Sequence, residues 1–132
     1  MGTKRLLVVD DEADFGRFVA RVAGALDYDV ETTTNATDFM ARFHSFDPDI
    51  VVLDIVMPEM DGVELVQWLV SVKCRARIII ISGYNPLYAQ LAESLAAAQG
   101  ILSVSTMTKP IKLADLRAIL TVGAEGSIQA FK

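Results

Sequence analysis

The sequence predicts a doubly wound α/β domain, a parallel sheet with helices on both of its faces. Three observations carry this prediction. Uninterrupted apolar runs too short for helices stand at 6–9, 50–53 and 78–81, as strands covered on both sides require. Between them, apolar residues recur at three- and four-residue spacing, the stripe of a helix packed on one side. Five strand signals alternate with five helix signals along the chain, and that order calls for parallel strands joined by right-handed crossovers.

The first strand, LLVV at 6–9, ends at Asp10 and Asp11. Over 12–26, Phe15, Phe18, Val19, Val22 and Leu26 form the first helical stripe. YDVETT at 28–33 is a more polar strand, assigned to an edge for that reason, and Asn35 or Thr37 can cap a helix carrying Phe39, Met40 and Phe43. Pro48 and Asp49 lead into IVVL, which stops at Asp54. After the turn from Pro58 to Gly62 a helix is predicted to about residue 73, with Leu65, Val66, Leu69 and Val72 inward. RIIII at 77–81 is the most apolar strand, closed by Ser82 and Gly83. A helix over about 86–98 follows, with Leu87, Leu91 and Leu95 at four-residue spacing. The fifth strand, 101–107, runs into Thr108, Lys109 and Pro110. Leu113, Leu116, Ile119 and Leu120 mark the last helix, with Asp115 in its first turns.

A chain of 132 residues, 52% apolar and 22% charged, fits one globular domain with a real core. We expect that domain over 1–121 and a tail, or the start of a linker to an output domain, over 122–132. A formal charge of −5 with scattered Lys and Arg argues against direct nucleic-acid binding. The apolar runs fall far below the roughly 18 residues of a membrane span, and no signal peptide is expected. Cys74 is the sole cysteine, which excludes an internal disulfide and suits a reducing, cytoplasmic setting. Its thiol is read as a spare surface or half-buried group, His44 as a surface residue and Trp68 as core edge.

In such sheets ligands bind beyond the carboxyl ends of the strands. Asp10 and Asp11, Asp54, Ser82 and Lys109 all fall at that edge. Three carboxylates brought together push one another toward protonation unless a cation sits among them. An oxygen-only ligand set without His or Cys selects a hard ion, Mg²⁺ before Ca²⁺ or Zn²⁺. Lys109 would place a second positive charge on the opposite side of the site, and Ser82 a hydroxyl; both suit phosphoryl oxygens. A carboxylate can attack phosphorus and form an acyl phosphate while the cations neutralise the equatorial oxygens, so the chemistry implied is an aspartyl phosphate. Each residue has a plainer reading as well: Asp54, Ser82 and Lys109 as turn or loop residues, Asp10 and Asp11 as caps of the first helix.

The pattern resembles the receiver domain of response regulators in two-component signalling, over about residues 4–120. The resemblance rests on VVDDE (8–12), LDIVMPEMDG (53–62), SG (82–83) and TKP (108–110), modest singly and specific in this order and spacing. It implies a chemotaxis-regulator-like, flavodoxin-like fold with strand order 2-1-3-4-5. It further implies Asp54 as phosphoacceptor and Asp10, Asp11 and the Val56 backbone carbonyl as Mg²⁺ ligands beside Asp54. Ser82 would be the hydroxyl that follows the phosphoryl group, Lys109 its counter-charge, and the Lys109–Pro110 peptide would be cis. The implied partners are a histidine kinase or phosphotransfer protein as donor and an output domain or target protein as receiver. The face of the fourth helix, fifth strand and fifth helix would meet that target or form a homodimer. Such a chain assists its own phosphorylation and dephosphorylation and turns over no external substrate.

The sequence departs from the family in two places. Three residues before the lysine, where the family usually carries a rotating aromatic, stands Thr106, with Tyr84 as a substitute switch candidate beside Ser82. The stretch between Gly100 and Lys109 is about two residues longer than the common pattern, which implies a longer fifth strand or an altered loop before it. Val56 and Tyr84 would flank the phosphoryl site and hinder attacking water, so a long-lived phosphorylated state is expected. Competing readings are weaker. A phosphohydrolase of haloacid-dehalogenase type would need a second Asp where Val56 stands. A flavodoxin-like phosphate loop would not read DDEAD, and a pseudo-receiver scaffold would not keep all five site residues.

Overall fold

Each residue of an apolar strand run needs a hydrophobic layer on its own side, because successive side chains point to opposite faces of the sheet. A computed structural model, which describes residues 3–54, 62–82, 94 and 104–121, supplies two such layers. Its sheet consists of β1 (Arg5–Val9), β2 (Asp29–Thr33), β3 (Ile50–Asp54), β4 (Arg77–Ser82) and β5 (Val104–Thr108). All pairings are parallel and the spatial order is β2-β1-β3-β4-β5. The described helices are α1 (Ala13–Ala25), α2 (Ala36–Phe46), α3 (Gly62–Ser71) and α4 (Leu113–Thr121). Of the helix predicted over 86–98 only Ser94 is described, as helical. The turn at 55–61, the start of the fifth predicted strand at 101–103 and the tail at 122–132 lie outside the described residues.

Leu7, Val9, Val51, Leu53, Ile78 and Ile80 join Phe39 of α2 and Leu65, Val66 and Leu69 of α3 in one core. Their chain neighbours Leu6, Val8, Ile50, Val52, Ile79 and Ile81 join Val19, Val22 and Ala23 of α1 and Leu116, Ile119 and Leu120 of α4 in the other. At about 1.5–3 kcal/mol per buried aliphatic side chain, this two-sided burial is the main force holding the three central strands in the domain. β2 has one neighbour and stays half wet, in keeping with its polarity.

Helix boundaries differ from the sequence reading at several points. α1 begins at Ala13, with Glu12 as N-cap, and ends at Ala25. The Asp27 and Tyr28 amides close it with bonds to the Gly24 and Ala23 carbonyls, in a Schellman arrangement with Asp27 at φ 71°. This closure takes Tyr28 out of the strand, which begins at Asp29. α3 stops at Ser71, two residues short of the prediction. Lys73 at φ 57° and the Cys74-to-Leu69 amide bond turn the chain there, leaving Val72 half-buried beyond the helix. Leu113 lies off the inward stripe and is 53% exposed, because it opens α4 at the sheet's carboxyl edge before the helix reaches the core. Asn35 caps α2 as expected, its side chain accepting from the Asp38 amide.

The far end of α4 is held from two other elements. The Tyr28 hydroxyl donates to the Leu120 carbonyl at 2.6 Å, and Arg77, buried at the start of β4, donates to the Ile119 carbonyl at 2.9 Å. Both use acceptors that a helix C-terminus leaves open, and the guanidinium also suits the negative end of the dipole. Burial lowers the Arg77 pKa and raises that of Tyr28 from their ordinary values.

Candidate functional site

Because β1 lies between β2 and β3, the strand order reverses at β1, and in such sheets the ligand crevice lies at the carboxyl ends of the strands on either side of that reversal, here β1 and β3. Asp10 follows β1 directly and Asp54 is the last residue of β3. Both are nearly sealed from solvent, at 1% and 6% exposure, while Asp11 is exposed. Asp10, Asp11 and Asp54 each offer a carboxylate oxygen within 4.8 Å of the others. Three oxygen donors with no nitrogen or sulfur among them fit a hard divalent ion such as Mg²⁺.

Asp10 is held by three contacts. Its amide donates to the Thr33 carbonyl at 3.1 Å, its Oδ1 accepts from the Glu12 amide at 2.8 Å, and its Oδ2 accepts from Lys109 Nζ at 3.0 Å. Its pKa is raised above the ordinary carboxylate value. Burial is the largest cause and the Asp11 charge the smallest, against the lowering effects of the Glu12 amide and Lys109. The expected mutual repulsion is therefore a minor influence on Asp10, and dehydration dominates.

Lys109 does not stand across the site from the carboxylates. Its ammonium bridges Asp10 and Glu12, with Glu12 Oε1 at 2.8 Å, and lies 4.7 Å from the centre of the Phe15 ring. Burial works against the cation, but hydrogen bonds to Glu12 and Asp10 and the charges of Asp10 and Asp54 prevail and raise its pKa. The Lys109 amide donates to the Ser82 carbonyl at 2.8 Å, which ties the end of β5 to the end of β4. The Lys109–Pro110 peptide is cis. Ser82 is buried at the last position of β4, opposite Thr108 in register.

Thr106, on β5, pairs with Ile80 of β4, is half-buried and shares a strand face with Val104, which packs on the α2 and α3 core. Val56 and Tyr84 lie outside the described residues. The remaining singled-out residues are ordinary. Cys74 is half-buried, and burial raises its thiol pKa, the opposite of an activated nucleophile. His44 is exposed and Trp68 half-buried, and their rings meet edge to face at 5.8 Å with Phe43 beside both.

Two members of the site escaped the sequence reading. Glu12 stood in plain view as the third acid of DDE, and Phe15 read only as part of the inward stripe of the first helix. Neither reveals its partner locally, because Lys109 is 97 residues from Glu12 in sequence.

Comparison with known proteins supplies the lineage. The model of the response regulator receiver domain matches residues 6–126. The chain is 32% identical over 80 residues to the chemotaxis protein CheY of Thermotoga maritima, covering 60% of this chain and 67% of CheY. It is 28% identical over 113 residues to the response regulator receiver protein CpdR of Brucella abortus, covering 86% and 90%. It is 27% identical over 116 residues to the regulatory protein AtoC of Escherichia coli, covering 88% of this chain and only 24% of AtoC. In structure it resembles a CheY-like receiver domain protein of Methanospirillum hungatei, with a TM-score of 0.78 at 22% identity over 91% of this chain and 92% of the other. No helix among the described residues is long and apolar enough to cross a membrane. With the family match spanning nearly all of the chain, and the parallel sheet carrying its acidic cluster at the carboxyl edge, the chain belongs to the response regulator receiver domain family.

Proposed function

We propose that the chain is a phosphoacceptor switch in which Asp54 takes a phosphoryl group from a histidine kinase or phosphotransfer protein. The observation that carries this reading is the meeting of Asp10, Asp11 and Asp54 within 4.8 Å beside the Lys109 ammonium. A carboxylate oxygen of Asp54 forms the new bond to phosphorus. The bond from phosphorus to the donor breaks, and its electron pair leaves with the donor. Asp10, Asp11, Asp54 and the Val56 carbonyl would hold Mg²⁺, which when bound neutralises the equatorial oxygens. Lys109, at the carboxyl end of β5, balances charge beside the cluster, and burial of Asp54 at the end of a strand keeps the nucleophile oriented.

Ser82 would follow the phosphoryl group and alter the face formed by the helix predicted over 86–98, β5 and the last helix α4, with Thr106 or Tyr84 in place of the usual aromatic. Two packings close in energy are needed for one added charge to choose between them. That face would meet an output domain, a target protein or a second copy. The chain spans about a quarter of AtoC and of the DNA-binding transcriptional regulator NtrC of Azospirillum brasilense, so output belongs to regions beyond such a receiver. Within this chain we assign residues 1–121 to the receiver and 122–132 to a tail or linker, with a cytoplasmic setting, no direct nucleic-acid contact and no turnover of an external substrate.

Incubation with acetyl phosphate and Mg²⁺ followed by intact-mass measurement tests the reading. The native chain should gain one phosphoryl group, and chelation of the metal or Asp54→Ala should abolish the gain. Equal gain by Asp54→Ala, or none by the native chain, refutes it.

A further inference from the structure

Lys109 is held by more than its ion pairs. An ammonium has three N–H donors and no acceptor. Two directions are used on Asp10 Oδ2 at 3.0 Å and Glu12 Oε1 at 2.8 Å, and the ring face of Phe15 covers the cation at 4.7 Å. That distance lies inside the roughly 6 Å reach of a cation–π contact. The ring is itself packed: Phe15 is half-buried against the α1 and α4 core, with the Phe18 ring 6.0 Å away.

The three holders differ in kind. Asp10 belongs to the acidic cluster and is sealed in the crevice. Glu12 has a side chain 66% exposed and draws the ammonium outward toward water. Phe15 carries no charge, so it can hold the cation without competing, as the two carboxylates do, with phosphoryl oxygens on Asp54. Lysine's four-carbon stem is flexible and does not hold the ammonium by itself.

We propose that Phe15 is a positioning residue for Lys109, a fixed aromatic platform that keeps the ammonium at the strand edge during phosphoryl transfer. Glu12 is a competing anchor that the ammonium leaves in order to reach the phosphoryl group. The inference rests on the reading of Asp54 as phosphoacceptor and predicts effects of opposite sign at two neighbouring residues.

The test uses the whole chain with Phe15→Leu, Phe15→Trp and Glu12→Gln. Phosphoryl gain from acetyl phosphate with Mg²⁺ is timed by intact mass; phosphorus bonds to Asp54 as acetate departs with the electron pair. Phe15→Leu should slow the gain about 2- to 5-fold, the cation–π range converted at tenfold per 1.4 kcal/mol. Phe15→Trp should restore it, and Glu12→Gln should speed it. Independently of any transfer, the Lys109 side-chain methylene protons in the native chain should resonate upfield from ring current, and lose that shift in Phe15→Leu. Circular dichroism establishes that each variant is folded. A native chain without the upfield shift overturns the platform whatever the variants do. So does a folded Phe15→Leu at the native rate, or a folded Phe15→Trp as slow as Phe15→Leu. A Glu12→Gln chain no faster than native overturns the competing anchor. A native chain that gains no phosphoryl group brings down the reading of Asp54 and this inference with it, a result distinct from all of these.

Discussion

Replacing Tyr28 by Phe removes one oxygen and leaves the ring in place. That oxygen donates to the Leu120 carbonyl at 2.6 Å, in the last turn of α4. A nine-residue helix is too short to persist alone, so its stability comes from packing on the sheet and from satisfying its end. Leu120 is buried, and a backbone acceptor that loses its donor there is poorly recovered by water. Typical net values for such a bond put the cost of Tyr28→Phe at about 1 kcal/mol, the middle of the ordinary range. In a chain of this length that corresponds to a fall in Tm of about 4 °C. Urea unfolding followed by Trp68, the single tryptophan, gives the free energy. Amide exchange then locates it, with protection falling most at Ile119 and Leu120. A loss under about 0.3 kcal/mol, below the range for a native hydrogen bond, would refute the claim that this hydroxyl anchors α4.

Two further outcomes follow from the same structure. Asp10 has a raised folded-state pKa, caused first by burial, so the folded chain binds its proton at higher pH than the unfolded chain does. Its favourable contribution is full below the unfolded value of about 4 and is lost as pH rises through the folded value. Without added divalent metal, the stability of the native chain relative to Asp10→Asn should therefore decline as pH rises from about 4; a difference that is flat or rising in urea titrations contradicts the assignment. Lys73 closes α3 at φ 57°, where a side chain is strained and glycine is not. Lys73→Gly should raise stability by about 0.5–1 kcal/mol by thermal melting, and a loss would show that the lysine side chain contributes contacts outweighing its strain.

Much of the site was legible because its parts are local to strand ends. A run of apolar residues followed at once by Asp10 or Asp54 announces a buried strand and a polar edge together, and the alternation of elements puts those edges on one side. The strand order was implied by the family resemblance, and the sheet has that order. Helix ends were harder to read. The Schellman turns at Asp27 and Lys73 use residues without the glycine signal, so the periodicity alone carries α3 on to Lys73 and β2 back to Tyr28.

The sequence by itself determined the α/β class, the two-sided burial of β1, β3 and β4, and the gathering of Asp10, Asp11, Asp54, Ser82 and Lys109 at one edge. Each of these follows from periodicity and adjacency along the chain. Only the tertiary structure decided how those groups are held: Lys109 against Asp10, Glu12 and Phe15, and Tyr28 and Arg77 on the end of α4. Those contacts join residues 42 to 99 positions apart, and their strength comes from burial that depends on the whole packed sheet.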